Sequence, residues 1–385
     1  MFRKRRWQLA ACCLLTALLT TAAIVGTEAV LLNRLTGSAS ESVRFLRTMN
    51  LLKRNYNGEI DNYQLFDGAI KGMVEAAGDP YTVYLNSKDF QQLSEMTGGS
   101  FGGIGIVFGK RGNDYVVISA LEDNPGAKAG IKSGDIITAI DGKPTRDMNM
   151  EQVANKIRGK HGTVVKLELK GKDGKLRTVS VERGEIKNPS VGGQLLPDTK
   201  KIGYIRIAVF NENTGDDFAK KYAELEKQGM QALVLDLRGN PGGVFDAGVA
   251  VAGMLVPKGP IVSVVDKNGN KYEETSSLEK VKYPLAVLVD HGSASAAEIV
   301  AGAIKDTKSG KLFGTKTFGK GSVQSVYRLD SNTAVKITVA KYYTPSGVSI
   351  HNVGIEPDVK VELPEDATVD VQLKAAEVYL LQQLQ

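Results

Sequence analysis

Two serines and a distant lysine supply residue types for nucleophilic chemistry. Ser293 and Ser295 follow an apolar run, Pro284 to Val289, that is typical of a buried strand. After them, small apolar side chains recur at helical spacing from Ala297 to Ile304. The two serines are therefore predicted on a strand-to-helix turn. Amide N–H groups at the start of such a helix are unpaired and can stabilise a developing negative charge.

The base that would activate one of these serines is predicted to be a lysine. The chain has three histidines. His291 lies four residues before Ser295, on the strand side of the turn, which is a poor position for reaching back to the serine. Lys320 is the better candidate, because small uncharged residues flank it and burial can lower a lysine pKa from about 10.4 toward neutrality. Ser–Lys pairs are a known variant of the serine triad.

The same residues admit plainer interpretations. A Gly-Ser-Ala-Ser run before a helix is commonly an N-cap, and Gly-Lys-Gly is commonly a surface turn. Gly314 to Lys320 also fits the start of a phosphate-binding loop, but Gly321 stands where that loop needs a serine or threonine for magnesium. We therefore expect no nucleotide and no metal cofactor.

Two motifs resemble the carboxy-terminal processing peptidases, or tail-specific proteases. These motifs are Ser295-Ala296 with Glu298-Ile299, and Phe318 to Gln324. Members of that family are Ser–Lys endopeptidases with an inserted PDZ domain. The family's spacing selects Ser295 over Ser293, because Ser295 lies 25 residues before Lys320. The resemblance also implies that Gln324 orients the lysine amine.

An oxyanion hole is implied by the same resemblance. The run Ala232 to Leu237 predicts a buried strand, and a Gly-Gly segment follows it. The family places one oxyanion amide in this segment and the other on the residue after the serine. These are Gly242 or Gly243, and Ala296; the sequence leaves the choice between the two glycines open.

Residues 98–184 resemble a PDZ domain. A glycine loop entering a strand, further strands, a short helix and an Asp-Gly turn follow one another in this region. PDZ domains add an extended peptide to a sheet edge and hold its terminal carboxylate in a nest of backbone N–H groups. The resemblance places that nest at Gly103, Ile104, Gly105 and Ile106, and implies protein or peptide partners with accessible C-termini.

The start of the chain predicts a membrane anchor. Basic residues from Arg3 to Arg6 precede an apolar segment, Trp7 to Leu32, and residues 9–27 carry no charge. Since a positive flank stays inside, residues 1–37 are expected to be a cytoplasmic tip with an uncleaved single-pass anchor in the cell membrane. A cleaved signal peptide is the alternative, and the length of the apolar run favours the anchor. The catalytic part is then extracytoplasmic. Both cysteines, Cys12 and Cys13, lie in this segment.

Composition limits the remaining function classes. The net charge of +6 is mixed, with no long basic run after residue 6, so nucleic-acid binding is not indicated. Residues 38–97 have helical spacing and resemble the N-terminal helical region of the same family, which often mediates homodimerisation. The alternative is a helical cap that packs on its own chain. Residues 185–385 alternate strands and helices, as an α/β catalytic core with a mixed sheet does.

The sequence as a whole therefore predicts a serine endopeptidase. Its substrates would be recognised through their C-terminal tails, and the PDZ domain would gate access to the serine. The alternative function is a non-enzymatic PDZ scaffold, which intact Ser295 and Lys320 disfavour.

Overall fold

The computed structural model describes residues 26, 27, 30, 31, 33–199, 201–364 and 367–385. The chain divides into two compact units, with the boundary between Met73 and Val74. The predicted anchor lies mostly outside the described residues. Among those that are described, we find no helix with the length and apolar character needed to span a bilayer.

The described residues of the first unit are mainly helical. Helix α1 (Ala39–Asn55) begins at Ser38, whose side chain accepts a hydrogen bond from the Glu41 amide. Helix α2 (Asn62–Glu75) follows and ends just beyond the unit boundary. Within the described chain α1 has no fully buried residue.

A small antiparallel pair, β2 (Ser100–Gly103) with β9 (Gly184–Lys187), brackets the PDZ domain. Between them lie helix α4 (Pro125–Lys128), helix α5 (Met150–Ile157) and a sheet. The sheet has the order β3-β4-β5-β7-β8, with β6 paired to β5, so β3 is an edge strand. Its strands are β3 (Ile106–Arg111), β4 (Asp114–Ala120), β5 (Ile136–Ile140), β6 (Lys143–Pro144), β7 (Val164–Lys170) and β8 (Leu176–Glu182).

The central sheet of the second unit has the order β10-β11-β12-β15-β16-β19 and is parallel from β11 onward. Strands β12 and β15 are buried at every residue, as parallel strands covered on both faces must be. The strands are β10 (Val191–Leu195), β11 (Ile202–Ile207), β12 (Ala232–Asp236), β15 (Leu285–Val289), β16 (Lys311–Gly314) and β19 (Val359–Lys360). The helices are α6 (Thr214–Lys227), α7 (Phe245–Gly253), α8 (Ala296–Asp306) and α9 (Val371–Gln383).

A second, antiparallel sheet was not foreseen in the sequence. Its order is β1-β18-β13-β14, and β17 pairs with β18. It consists of β1 (Val83–Leu85), β13 (Gly259–Asp266), β14 (Lys271–Ser276), β17 (Ser322–Arg328) and β18 (Ala334–Tyr343). Helix α3 (Ser87–Gly98) follows β1. The predicted mixed α/β core with a PDZ domain is confirmed.

Candidate active site

Ser295 lies at a strained turn between β15 and α8. Its backbone has φ 54° and ψ −116°, a conformation that residues other than glycine rarely adopt. Such strain persists only where surrounding contacts hold it. The residue is half-buried and lines a cavity of about 590 Å³.

Ser293 has a different environment. It is fully buried, its Oγ donates a 2.8 Å hydrogen bond to the Leu237 carbonyl, and it accepts a 3.0 Å bond from the Asp290 amide. A hydroxyl committed in this way ties the turn to the end of β12. The geometry therefore gives Ser293 a structural part and leaves Ser295 as the serine at the cavity.

The carboxylate of Glu298 joins the serine turn to the lysine loop. It is fully buried in the first turn of α8. Its Oε2 accepts from the amides of Ser295 (2.9 Å) and Lys320 (2.8 Å). Its Oε1 accepts from Thr317 Oγ1 (2.6 Å) and the Gly319 amide (2.7 Å). Because the Gly319 and Lys320 amides are used here, they cannot cradle a phosphate.

Tyr342, on β18, supports the same two segments from the other side. Its hydroxyl is within 2.7 Å of the Lys320 carbonyl and 3.1 Å of the Ser295 carbonyl, and donates toward both. Burial raises the pKa of Tyr342 well above its usual value, and the charge of Glu298 adds to this effect. The hydroxyl therefore stays protonated and remains a donor.

The amine of Lys320 is half-buried, and its surroundings favour the neutral form. Burial is the largest cause that lowers its pKa, and the like charge of Lys336 adds to it. The charges of Glu298 and Asp79 act in the opposite direction. The amine also lies 5.2 Å from the ring centroid of Tyr81. The net direction is the one that a lysine general base requires.

The cavity brings the other predicted catalytic residues together. Gly242, Gly243 and Gln324 line it along with Ser295 and Lys320. The Gln324 Nε2 donates to Ser322 Oγ (2.9 Å) and Thr338 Oγ1 (3.3 Å). None of the hydrogen bonds recorded for the described residues joins Gln324 to the Lys320 amine, so the implied orienting contact is not made in this structure.

The two glycines offered as oxyanion donors differ in the use of their amides. The Gly242 N–H donates to Asn240 Oδ1 (2.8 Å). Gly242 also packs so closely that a Cβ there would lie 2.7 Å from Ser295 Cβ and 2.9 Å from the Ala296 nitrogen. In the described part of the chain, no recorded hydrogen bond uses the N–H of Gly243 or of Ala296.

The predicted PDZ nest lies elsewhere in the second unit. Gly103 ends β2, Gly105 has φ 69°, and Ile106 begins the edge strand β3. Ile104 is buried with the PDZ core. These residues do not line the cavity that holds Ser295, so the nest would bind a different part of any substrate.

Several functional residues escaped the sequence analysis. Glu298 stood inside the quoted motif, and its position three residues after Ser295 is the spacing of a capping carboxylate. Tyr81 and Tyr342 were not singled out in the sequence. Both reach the Lys320 loop through contacts that are long-range in sequence.

Comparisons with known proteins agree with this architecture. A model described as peptidase family S41 matches residues 201–361, and a PDZ-domain model matches residues 116–171. The carboxy-terminal processing protease CtpA of Bacillus subtilis is 38% identical over 318 residues, which are 82% of this chain and 68% of that protein. The chain belongs to peptidase family S41. The predicted family is confirmed, and with it a serine-type peptidase.

Further matches extend along this S41 chain. Residues 27–89 match a model described as the N-terminal domain of the activating protease CtpB. The CtpB of B. subtilis itself is 35% identical over 324 residues, covering 83% of this chain and 67% of that protein. A crystal structure of a Bacteroides fragilis protein assigned to the S41 proteases covers 86% of this chain and 93% of its own, with 16% identity and a TM-score of 0.50. That last likeness concerns the fold alone.

Glu298→Gln tests the link between the serine turn and the lysine loop. The new amide nitrogen would face two donors, so two hydrogen bonds to a charged acceptor are lost. We expect a fall of about 3 kcal/mol in unfolding free energy and of roughly 100-fold in kcat with a smaller change in KM. Glu356→Gln is the matched control, since that carboxylate pairs with Lys316 at the surface. Equal effects of the two substitutions would contradict the positioning role.

Proposed function

We propose that this chain is a serine endopeptidase in which Ser295 is the nucleophile and Lys320 the general base. The observation that carries the proposal is the half-buried Lys320 amine, with its lowered pKa, in the cavity that Ser295 lines. Attack forms a bond from Ser295 Oγ to the peptide carbonyl carbon while the hydroxyl proton moves to Lys320 Nζ. The C–N bond then breaks as Lys320 returns that proton to the leaving amine.

Deacylation repeats the same steps with water. Lys320 takes a proton from the incoming water as its oxygen bonds to the acyl carbon, and returns the proton to Ser295 Oγ when the ester bond breaks. Ala296 and Gly243 are proposed as the oxyanion donors, because the Gly242 amide is already bound to Asn240. Loss of one such donor typically costs about 100- to 1000-fold in rate.

Gln324 keeps its proposed part as the residue that orients the lysine amine. The proposal is supported by its place on the cavity wall and by its Nε2 contacts with Ser322 and Thr338. In this structure the Nε2 end of the amide faces both hydroxyls as a donor. The other end, Oε1, is the atom that would accept a hydrogen bond from Lys320.

A comparison of Ser295→Ala with Ser293→Ala tests the choice of nucleophile. Ser295→Ala should abolish cleavage of an unstructured protein and leave the melting temperature nearly unchanged. Ser293→Ala leaves buried partners unsatisfied, so we expect it to lower the unfolding free energy by about 1–2 kcal/mol while the folded fraction still cleaves. Cleavage by the purified Ser295→Ala variant would refute the proposal. Inactivity of wild type on every substrate would favour the scaffold alternative.

Lys320→Met tests the base and the direction of its pKa. Activity requires the neutral amine, so kcat/KM of wild type should fall as the pH drops below the folded-state pKa of Lys320. In the unfolded chain the Lys320 amine has its ordinary pKa of about 10.4, and in the folded chain its pKa is lower. Below a pH of about 10.4 the unfolded chain therefore binds the proton more strongly than the folded chain does, which lowers the unfolding free energy. The inactive Lys320→Met variant should therefore melt higher than wild type at pH 7, and the difference should shrink as the pH rises toward 10. A lower melting temperature at pH 7 would contradict a depressed pKa.

Recognition of C-terminal tails is proposed for the PDZ domain. Its edge strand β3 is open to strand addition, and the Gly103–Ile106 segment leads into it. Helix α3 connects this domain with the cavity. Lys88 and Glu95 on α3 face the PDZ residues Glu151 (3.0 Å) and Arg158 (3.9 Å). Other α3 residues line the cavity: Phe90, Leu93, Ser94, Met96 and Thr97. A shift of the PDZ domain would therefore move the cavity wall, which supports gating.

Removal of the PDZ domain tests this gating. Gly103 and Gly184 are opposed in the β2–β9 pair, so an Asn-Gly turn can replace residues 104–183 and close the ladder. We expect activity on a protein with a free C-terminal tail to change by at least roughly tenfold more than activity on a short internal peptide. Melting curves check that the shortened chain folds. Equal changes on both substrates would exclude gating.

Membrane anchoring, an extracytoplasmic catalytic part and homodimerisation also remain proposals. Anchoring is supported by the uncharged run at residues 9–27 and is checked by alkaline extraction of membranes. Dimerisation is supported by the exposed apolar side chains of α1, such as Val43, Phe45 and Leu46. Sedimentation of the full chain in detergent would find a monomer if that proposal is wrong.

A further inference from the structure

The charged side chains that line the cavity around Ser295 are all positive. Among the described residues that line it, the charged ones are Lys320, Arg328 and Lys336, and none is acidic. The lining also has an apolar part, with Phe90, Leu93 and Met96 from α3 and Val244 and Phe245 from the segment after the glycines. A bound peptide could therefore bury apolar side chains and also meet positive charge.

Arg328 and Lys336 lie beside each other on the β17–β18 hairpin. Val326 is directly opposite Lys336 in the antiparallel pair, and Arg328 is opposite Ala334. Directly opposed residues share a face, as do alternate residues along one strand, so Gln324, Val326, Arg328 and Lys336 project toward the cavity together. At about 3.3 Å per residue, Lys336 lies roughly 7 Å and Arg328 roughly 13 Å beyond Gln324 along the strand.

Neither cation has a carboxylate partner in the described chain. The ion pairs recorded there include neither Arg328 nor Lys336. Arg328 lies over the Phe90 ring at 5.4 Å, which fixes its position without neutralising it. Arg328 is exposed and Lys336 is half-buried. A carboxylate that reached both would form charge-assisted hydrogen bonds with each.

We propose that Arg328 and Lys336 form a carboxylate-binding subsite of the active-site groove. It selects substrates that place a carboxylate a few residues from the scissile bond. That carboxylate is either an acidic side chain or the free C-terminus of the peptide. This subsite rests on the proposed Ser295–Lys320 protease and adds the side-chain chemistry of the substrate that the groove prefers.

The test uses peptides of one apolar sequence in which a single Glu is moved position by position, each matched by a Gln peptide and each with a free or an amidated C-terminus. For wild type, kcat/KM should be at least roughly fivefold higher for Glu than for Gln at one or two adjacent positions, and the ratio should fall with added salt. If the terminal carboxylate is the ligand, amidation lowers kcat/KM instead, and the position of Glu has little effect. A ratio of one throughout, with no effect of amidation, would overturn the subsite.

Variants assign the preference to these residues. Arg328→Gln and Lys336→Gln should each bring the ratio toward one, Arg328→Lys should largely keep it, and Arg328→Glu should favour a Lys peptide. Lys341→Gln is the control, since Lys341 is exposed on the same strand but does not line the cavity. An unchanged ratio in both neutral variants would overturn the assignment. The ratio of kcat/KM values cancels the effect of Lys336 on the base of the free enzyme, because kcat/KM for both peptides depends on that same free enzyme.

A binding measurement separates this proposal from the catalytic one. Fluorescence anisotropy of labelled Glu and Gln peptides on the Ser295→Ala chain reports the subsite without turnover. Tighter binding of the Glu peptide by at least roughly fivefold, lost in Ser295→Ala/Arg328→Gln, supports the subsite even if no substrate is cleaved. Equal binding overturns the subsite while leaving cleavage by wild type to test the protease.

Discussion

A single buried carboxylate determines how the two reacting segments of this molecule are arranged. Glu298 accepts hydrogen bonds from the amides of Ser295 and Lys320 through the same oxygen atom, Oε2. Burying a charge is costly unless hydrogen bonds replace the lost water, and here four donors do so. Because the serine turn and the lysine loop share one acceptor, they cannot separate without exposing it. This shared acceptor also explains how Ser295 is held at a positive φ.

The charge of Glu298 favours the protonated form of Lys320, which is the wrong form for the proposed base. A nearby anion raises a lysine pKa, and Glu298 and Asp79 both act in that direction on Lys320. Burial and the like charge of Lys336 outweigh them. The carboxylate accepts from three backbone amides and the Thr317 hydroxyl. It therefore holds the loop at Lys320 N, and among the described residues no hydrogen bond joins it to Lys320 Nζ. Position and protonation state are thus controlled by different contacts.

Much of the fold and part of the site could be predicted from the sequence. The strand before Ser295 and the helix after it are local patterns, and β15 and α8 follow them. The Ser–Lys spacing came from the family resemblance, and both residues line one cavity. Tyr342 could not be found in this way, because its contact with Ser295 spans 47 residues and depends on the pairing of the second sheet. The choice between Gly242 and Gly243 required the Asn240 contact, which only a folded loop reveals.

In the proposed mechanism, the cations of the groove would act on both the base and the substrate, and these actions would oppose each other. Lys336 lowers the pKa of Lys320, so a carboxylate bound to Lys336 would cancel part of that effect and raise the pKa again. Tight pairing at that position would therefore cost activity near neutral pH. The charged groups that shift the pKa of Lys320 are Lys336, Glu298 and Asp79. Arg328 is not among them, and it lies two residues beyond Val326, the residue of β17 that is opposite Lys336. The base must stay neutral while an acidic substrate is bound. We therefore expect the more distant Arg328 to contribute more than Lys336 to binding of the substrate carboxylate.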